Sequence, residues 1–202
     1  EWLQKHIWPA EAKMGAEHIY WGTKVACLEM IKSGTAFFSD MYFSFHYVVQ
    51  AAQEMGLRAA IGITMMDSFT EEEKDNGFDI LQNWQDPTGG LLTATIAPHA
   101  IYTVCERSLR DVAAQARDED TFLHVHVAET RFEVETCRKE HGGRTPVAYL
   151  NDLGLLGPKT VMAHCVHLTD DDVRIIADTG AVVVENQQSN MKLVSGLFRS
   201  EE

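Results

Sequence analysis

The sequence predicts an α/β fold, a parallel sheet covered by helices, and within that class a (β/α) barrel. Three observations carry this reading. Six nearly continuous apolar stretches alternate with stretches of helical periodicity, the pattern of strands buried on both faces. Polar residues recur where those strands end: Asp40, His99, His126 with Glu129, His164, and Asn186 with Ser189 and Asn190. A barrel and a doubly wound sheet both put chemistry at C-terminal strand ends, but no glycine-rich phosphate loop follows any strand here, which favours the barrel. A complete barrel has eight strands and about 250 residues. The 202-residue chain is therefore expected to be a (β/α)8 TIM-type barrel lacking two of its units, a single domain over residues 1–202 truncated at both ends.

The elements follow from local pattern. The opening, through Glu11, reads as a loop on its residues alone. Residues 15–33 place Ile19, Tyr20, Val25, Leu28, Met30 and Ile31 at helical spacing and stop at Gly34. Residues 35–42 read as a strand and 45–55 as a helix closed by Gly56. A strand over 58–66, an acidic helix opening at Thr70 and running toward Trp84, and a strand over 91–97 ended by Pro98 and His99 come next. An amphipathic helix over 105–117 leads into the strand 121–128, and the helical region 131–153 is broken near Gly142, Gly143 and Pro146. Residues 160–166 form a strand, Thr169 caps an acidic-first helix ending at Gly180, and 181–185 are the last strand.

Composition narrows the function. Lys and Arg total 17 against 30 acidic residues, a net charge of −13, which argues against a nucleic-acid partner. Cys27, Cys105, Cys137 and Cys165 show no Cys-x-x-Cys spacing, so a reducing, cytoplasmic setting is expected. No apolar run is long enough to span a bilayer, and the first residues lack a signal peptide's basic start, so no membrane partner is expected.

The stretch Thr121–Thr130 concentrates the chemistry. On a strand, His124 and His126 point to one face and Glu129 lies just beyond the exit. His164 ends the next strand, and neighbouring parallel strands are roughly 4.8 Å apart, so His126, Glu129 and His164 can share a pocket. Neutral imidazoles bind zinc, and a nearby carboxylate can move protons for a hydrolytic water. His99, on the preceding strand end, joins the set. His124 and His167 read as hydrogen-bonded core residues, and His6, His18, His46 and His141 as surface residues or helix partners.

Taken together, Glu1-Trp2-Leu3, Ile7-Trp8-Pro9-Ala10-Glu11, Ser39-Asp40-Met41-Tyr42, Ala97-Pro98-His99, His126-Val-Ala-Glu129-Thr130, Ala163-His164-Cys165 and Ser189-Asn190-Met191-Lys192-Leu193 resemble the amidohydrolase superfamily. The likeness is to its branch of adenosylhomocysteine and methylthioadenosine deaminases and chlorohydrolase-like relatives. The resemblance implies that His126 ligates one catalytic zinc, iron being the alternative metal, and that Glu129 protonates and binds a purine ring nitrogen. It makes His164 the group that orients or deprotonates the hydrolytic water, and Cys165 a packing residue. His99 would contact substrate, Glu11 would accept the two ribose hydroxyls, and Trp2 would wall that side. Two positions depart from the branch: Ile63 replaces an arginine, and Glu185-Asn186-Gln187-Gln188 stands where His-Asn-Pro is usual.

The resemblance implies a zinc-dependent hydrolytic deaminase of an adenine nucleoside derivative, with a small-molecule substrate and a homo-oligomeric state in view. The alternatives are dechlorination or deamination of a triazine, pyrimidine or guanine ring, and a non-catalytic barrel fragment. The family holds zinc with a His-x-His pair on the first strand, a histidine on the fifth and an aspartate on the eighth. Only the fifth-strand ligand, His126, is matched, so the 202-residue chain alone is expected to be inactive and, with open strand edges, to self-associate.

Overall fold

The computed structural model describes residues 3–69, 77, 80, 81, 84, 86 and 89–199. Six strands form one sheet: β1 (Phe37–Asp40), β2 (Arg58–Met65), β3 (Leu92–Pro98), β4 (Leu123–Val127), β5 (Thr160–His164) and β6 (Val182–Val184). Their order is β1-β2-β3-β4-β5-β6, each strand beside the next in sequence. A doubly wound sheet reverses its strand order at a switch point, and this one does not. Sequential parallel βα units are the topology of an incomplete (β/α)8 barrel. The expected helix from Thr70 toward Trp84 lies mostly outside the described residues.

The chain divides into two compact units. The first comprises Glu1–Gly62 and Trp84–Ala94. Here β1 runs parallel to β2, with Phe37 opposite Arg58 and Asp40 opposite Ile61. Helix α2 (Ala16–Ser33) packs against α3 (Phe45–Met55), burying Ile19 and Cys27 against a face that includes Val48, Ala51 and Ala52. Helix α2 begins where His18 Nδ1 accepts from the Gly15 N–H at 3.1 Å, so His18 is a helix partner as expected. It stops because Gly34 takes a left-handed φ of 84°. The opening is not a loop. Leu3–Ile7 form a π-helical stretch and α1 (Trp8–Glu11) follows, with Pro9 in the first turn, where a missing N–H leaves no helix bond broken.

The second unit comprises Ile63–Asn83 and Thr95–Glu202. Ile96 pairs with Leu123, β4 pairs with β5 from Leu123–Thr160 to Val127–His164, and β5 pairs with β6 from Val161–Val182, all parallel. Its core is Leu109, Val112, Val125, Val127, Val147, Leu150 and Met162, all essentially inaccessible. Helix α4 (Glu106–Asp118) follows β3. The 131–153 region divides into α5 (Arg131–Glu140) and α6 (Pro146–Asp152), which begins at a proline behind the Thr145 cap. Helix α7 (Asp170–Thr179) has the expected Thr169 cap, and α8 (Gln187–Lys192) forms where polar strand-end residues were expected. Strand β5 stops at His164 rather than at 166, because His164 and Cys165 turn into left-handed backbone, φ 74° and 47°. Among the described residues no helix is long and apolar enough to cross a membrane.

Candidate active site

The ends of β3, β4 and β5 bring three imidazoles into a row. The His99 and His126 rings lie 4.9 Å apart, and the His126 and His164 rings 5.3 Å apart and nearly parallel. The hydrogen-bond partners fix the tautomer of each ring. His126 Nδ1 lies 2.8 Å from the backbone oxygen of His99, which only accepts, so Nδ1 carries the proton and Nε2 keeps its lone pair. Thr103 Oγ1 gives its proton to the Ala100 oxygen, so it accepts from His99 Nδ1 at 2.8 Å. His164 Nδ1 donates to Asn190 Oδ1 at 2.7 Å. In their neutral forms all three rings therefore present Nε2 as an acceptor.

Burial favours the neutral form of His99 and His126. It pushes His99 down to about 4, helped by the neighbouring His126. Burial also lowers His126, against the opposing pull of its bond to the His99 carbonyl. Neutral imidazoles are what a metal or a proton acceptor requires.

Glu129 reaches the same rim. Its Oε2 lies 3.8 Å from His164 Nε2, and its Oε1 accepts from Ser195 Oγ at 3.4 Å. A separation of 3.8 Å is too long for a direct hydrogen bond, and a lone pair facing a carboxylate repels it. The two groups become favourable partners when a proton-bearing group stands between them. Glu129 is aimed by the backbone before it: Ala128 sits at φ 49°, and Glu133 accepts from the Ala128 and Glu129 N–H groups at 2.8 and 2.9 Å. Glu133 is itself held by Thr130 Oγ1, which accepts from its N–H at 3.1 Å. The Thr130-x-x-Glu133 spacing is that of a capping box, so this support was readable in the sequence as a helix start but not as part of a site.

The other candidate residues fall as follows. Glu11, in the first unit, accepts from the Tyr42 hydroxyl at 2.7 Å. Trp2 lies outside the described residues. Asp40, also in the first unit, has a buried Oδ2 without a hydrogen-bond partner among the described residues, and burial pushes its carboxyl up to about 6. Cys165 is fully buried, and His167 Nε2 donates to the Ser195 backbone oxygen at 2.7 Å, both structural parts as expected. Asn190, Ser195 and Glu133 were not assigned roles by sequence reasoning. Asn190 carried a signal, its place in the Ser189–Leu193 motif; Ser195 carried none.

His126 fits one ligand position of a metal centre, since the His99 carbonyl holds Nδ1 and leaves Nε2 free. The ligand set is not complete here: among the described residues, no group of three or more His, Cys, Asp or Glu is arranged to hold a metal ion.

Comparison with known proteins bears on this geometry. The Amidohydrolase family matches residues 1–202. A 5'-deoxyadenosine deaminase of Methanospirillum hungatei JF-1 is 43% identical over 200 residues, covering 97% of this chain and 44% of that protein. A 5-methylthioadenosine/S-adenosylhomocysteine deaminase of Desulforudis audaxviator is 40% identical over 199 residues, covering 98% of this chain and 46% of that one. The crystal structure of an adenosine deaminase from Xanthomonas campestris with bound zinc superposes with a TM-score of 0.90 at 32% identity, covering 97% of this chain and 46% of that one. The chain thus spans about half the length of the curated relatives it matches.

Proposed function

The chain belongs to the Amidohydrolase family, and from that premise we propose that the protein is a hydrolase of carbon–nitrogen bonds, one that deaminates the adenine ring of a nucleoside derivative. The observation that carries the proposal is the placement of Glu129 Oε2 3.8 Å from His164 Nε2, so that one proton-bearing group can hydrogen-bond to both. The relatives, deaminases of 5'-deoxyadenosine and of 5-methylthioadenosine and S-adenosylhomocysteine, supply the substrate class.

In this reading a water oxygen bonds to the amino-bearing ring carbon while Glu129 gives a proton to the adjacent ring nitrogen. His164 Nε2 accepts one proton from the water and returns it to the amino group, which leaves as ammonia; the remaining hydroxyl proton passes to Glu129, restoring its acid form as the oxo-purine carbonyl forms. His99 would contact the ring, and the family resemblance assigns recognition of the ribose to Glu11 and Trp2. A carboxylate suits two adjacent hydroxyls because charged acceptors make the stronger hydrogen bonds. His126 would hold a zinc ion, with iron the alternative. A divalent ion there supplies Lewis acidity that makes water nucleophilic near neutral pH. The acidic charge of −13 and the absence of paired-cysteine spacing support a small-molecule enzyme of the cytoplasm.

The test is to incubate the full-length protein with adenosylhomocysteine, methylthioadenosine, 5'-deoxyadenosine and adenosine, and to follow purine absorbance and ammonia. Deamination of at least one is expected, with kcat falling about 100- to 10,000-fold in Glu129→Gln. No turnover of any of them would overturn the substrate assignment. A second reading, hydrolysis of a free triazine, pyrimidine or guanine ring, draws on Ile63 at the position where an arginine is usual. Glu11→Ala separates the two, because a ribose-reading enzyme loses nucleoside activity whereas a free-base enzyme is unaffected.

A further inference from the structure

We infer that Asn190 is a positioning residue, one that holds His164 in the Nδ1–H tautomer and so turns its Nε2 lone pair toward Glu129. Its role in the reaction rests on the deaminase reading above; the tautomer itself does not. Asn190 is 2% exposed, and its single described side-chain bond is the 2.7 Å contact to His164 Nδ1. Its Nδ2 is buried and has no hydrogen-bond partner among the described residues. An unpaired buried donor costs about 1–3 kcal/mol, so an apolar residue would serve packing better at this position. What Asn190 supplies in return is an acceptor that only a protonated Nδ1 can satisfy.

The segment that carries Asn190 is clamped onto the same strand ends. The Ser195 N–H donates to the Asn190 oxygen at 2.9 Å, closing a turn after α8. The Ser195 backbone oxygen accepts from His167 Nε2 at 2.7 Å, and its hydroxyl reaches Glu129 Oε1 at 3.4 Å. Gly196, at φ 138°, lets the chain pass so close that an added Cβ would sit 2.8 Å from Val166 Cγ1 and 3.3 Å from His167 Cε1. One short stretch therefore contacts both groups proposed to move protons: Asn190 sets the ring nitrogen and Ser195 engages one carboxylate oxygen. The other oxygen, Oε2, is left facing His164.

The tautomer can be read directly. In protein labelled with nitrogen-15 at histidine, long-range proton–nitrogen spectra distinguish a ring protonated at Nδ1, at Nε2 or at both, and His164→Gln identifies the His164 signals. At a pH that keeps the imidazoles neutral, the wild-type protein is expected to show the His164 proton on Nδ1. Asn190→Asp, which keeps the acceptor, should retain that pattern, and Asn190→Leu should lose it to the Nε2–H or a mixed form. A neutral wild-type ring with its proton on Nε2 would overturn the inference without any variant. An unchanged tautomer in folded Asn190→Leu would overturn it as well. Loss of the deaminase reading would show separately, as absent turnover by a protein whose His164 has the expected tautomer.

Discussion

Ala128, His164 and Cys165 hold φ angles of 49°, 74° and 47°, left-handed values that side-chain-bearing residues adopt at a cost of about 1–2 kcal/mol each. They sit side by side where β4 and β5 end, and they turn Glu129 and His164 out of their strands toward one another. Because Ala128 is already left-handed, Ala128→Gly is expected to change stability by less than about 1 kcal/mol, whereas Ala128→Val should cost more than that. Urea unfolding checks both; a large loss with glycine would contradict the strained geometry. Glu133 makes a second test. Burial pushes its carboxyl from 4.5 up to about 7, against the pull of the backbone N–H groups it accepts from. Between those values the folded protein keeps a proton that the unfolded chain has released, so stability falls as pH rises through that window, by on the order of 3 kcal/mol. Glu133→Gln should flatten the slope of stability between about pH 5 and pH 7. An unaltered slope would show that Glu133 is not its source.

At the scale of elements, one buried carboxylate joins two helix starts. Asp172 is 1% exposed and accepts from the Thr169 N–H and the Thr169 hydroxyl, each at 2.8 Å, and from the Thr145 hydroxyl. Thr169 in turn caps the Asp172 N–H of α7 at 3.2 Å, and Thr145 caps the Ala148 N–H of α6 at 3.2 Å. Removing the carboxylate leaves two hydroxyls and one N–H without this acceptor and loosens both caps. Asp172→Ala is expected to destabilise by about 2–4 kcal/mol, more than the roughly 1 kcal/mol of a single cap. Asp172→Asn, which keeps one acceptor, should fall between them. A loss near 1 kcal/mol for the alanine variant would mean that the two caps are independent.

Apolar surface governs the whole molecule's behaviour in solution. Along α2, Trp21, Val25 and Leu28 recur at helical spacing with 55%, 57% and 51% exposure, and on β6 Val182 and Val184 share an exposed face. The 202-residue chain is therefore expected to self-associate despite its charge of −13. Sedimentation velocity should show a concentration-dependent distribution that moves toward monomer in the double variant Trp21→Glu, Leu28→Glu. A single concentration-independent monomer in the unaltered chain would remove the prediction.

Local pattern was enough for the frame of this protein. Nearly unbroken apolar strands, Gly34, Gly56 and Gly180 at helix ends, and Thr169 before an acidic turn each reflect a short-range preference, and these elements stand within a few residues of where periodicity put them. His126, Glu129 and His164 were legible for the same reason, since strand alternation and strand ends are local properties. What no local pattern could supply was the polar setting of that trio. Asn190 meets His164 across 26 residues and Ser195 meets Glu129 across 66. A hydrogen bond between groups so distant in sequence exists only once the strands have paired and α8 has packed against their ends. The tautomer of His164 and the orientation of Glu129 are therefore products of tertiary structure, because a proton's position on a ring is decided by the atom it faces, and the chain alone does not say which atom that is.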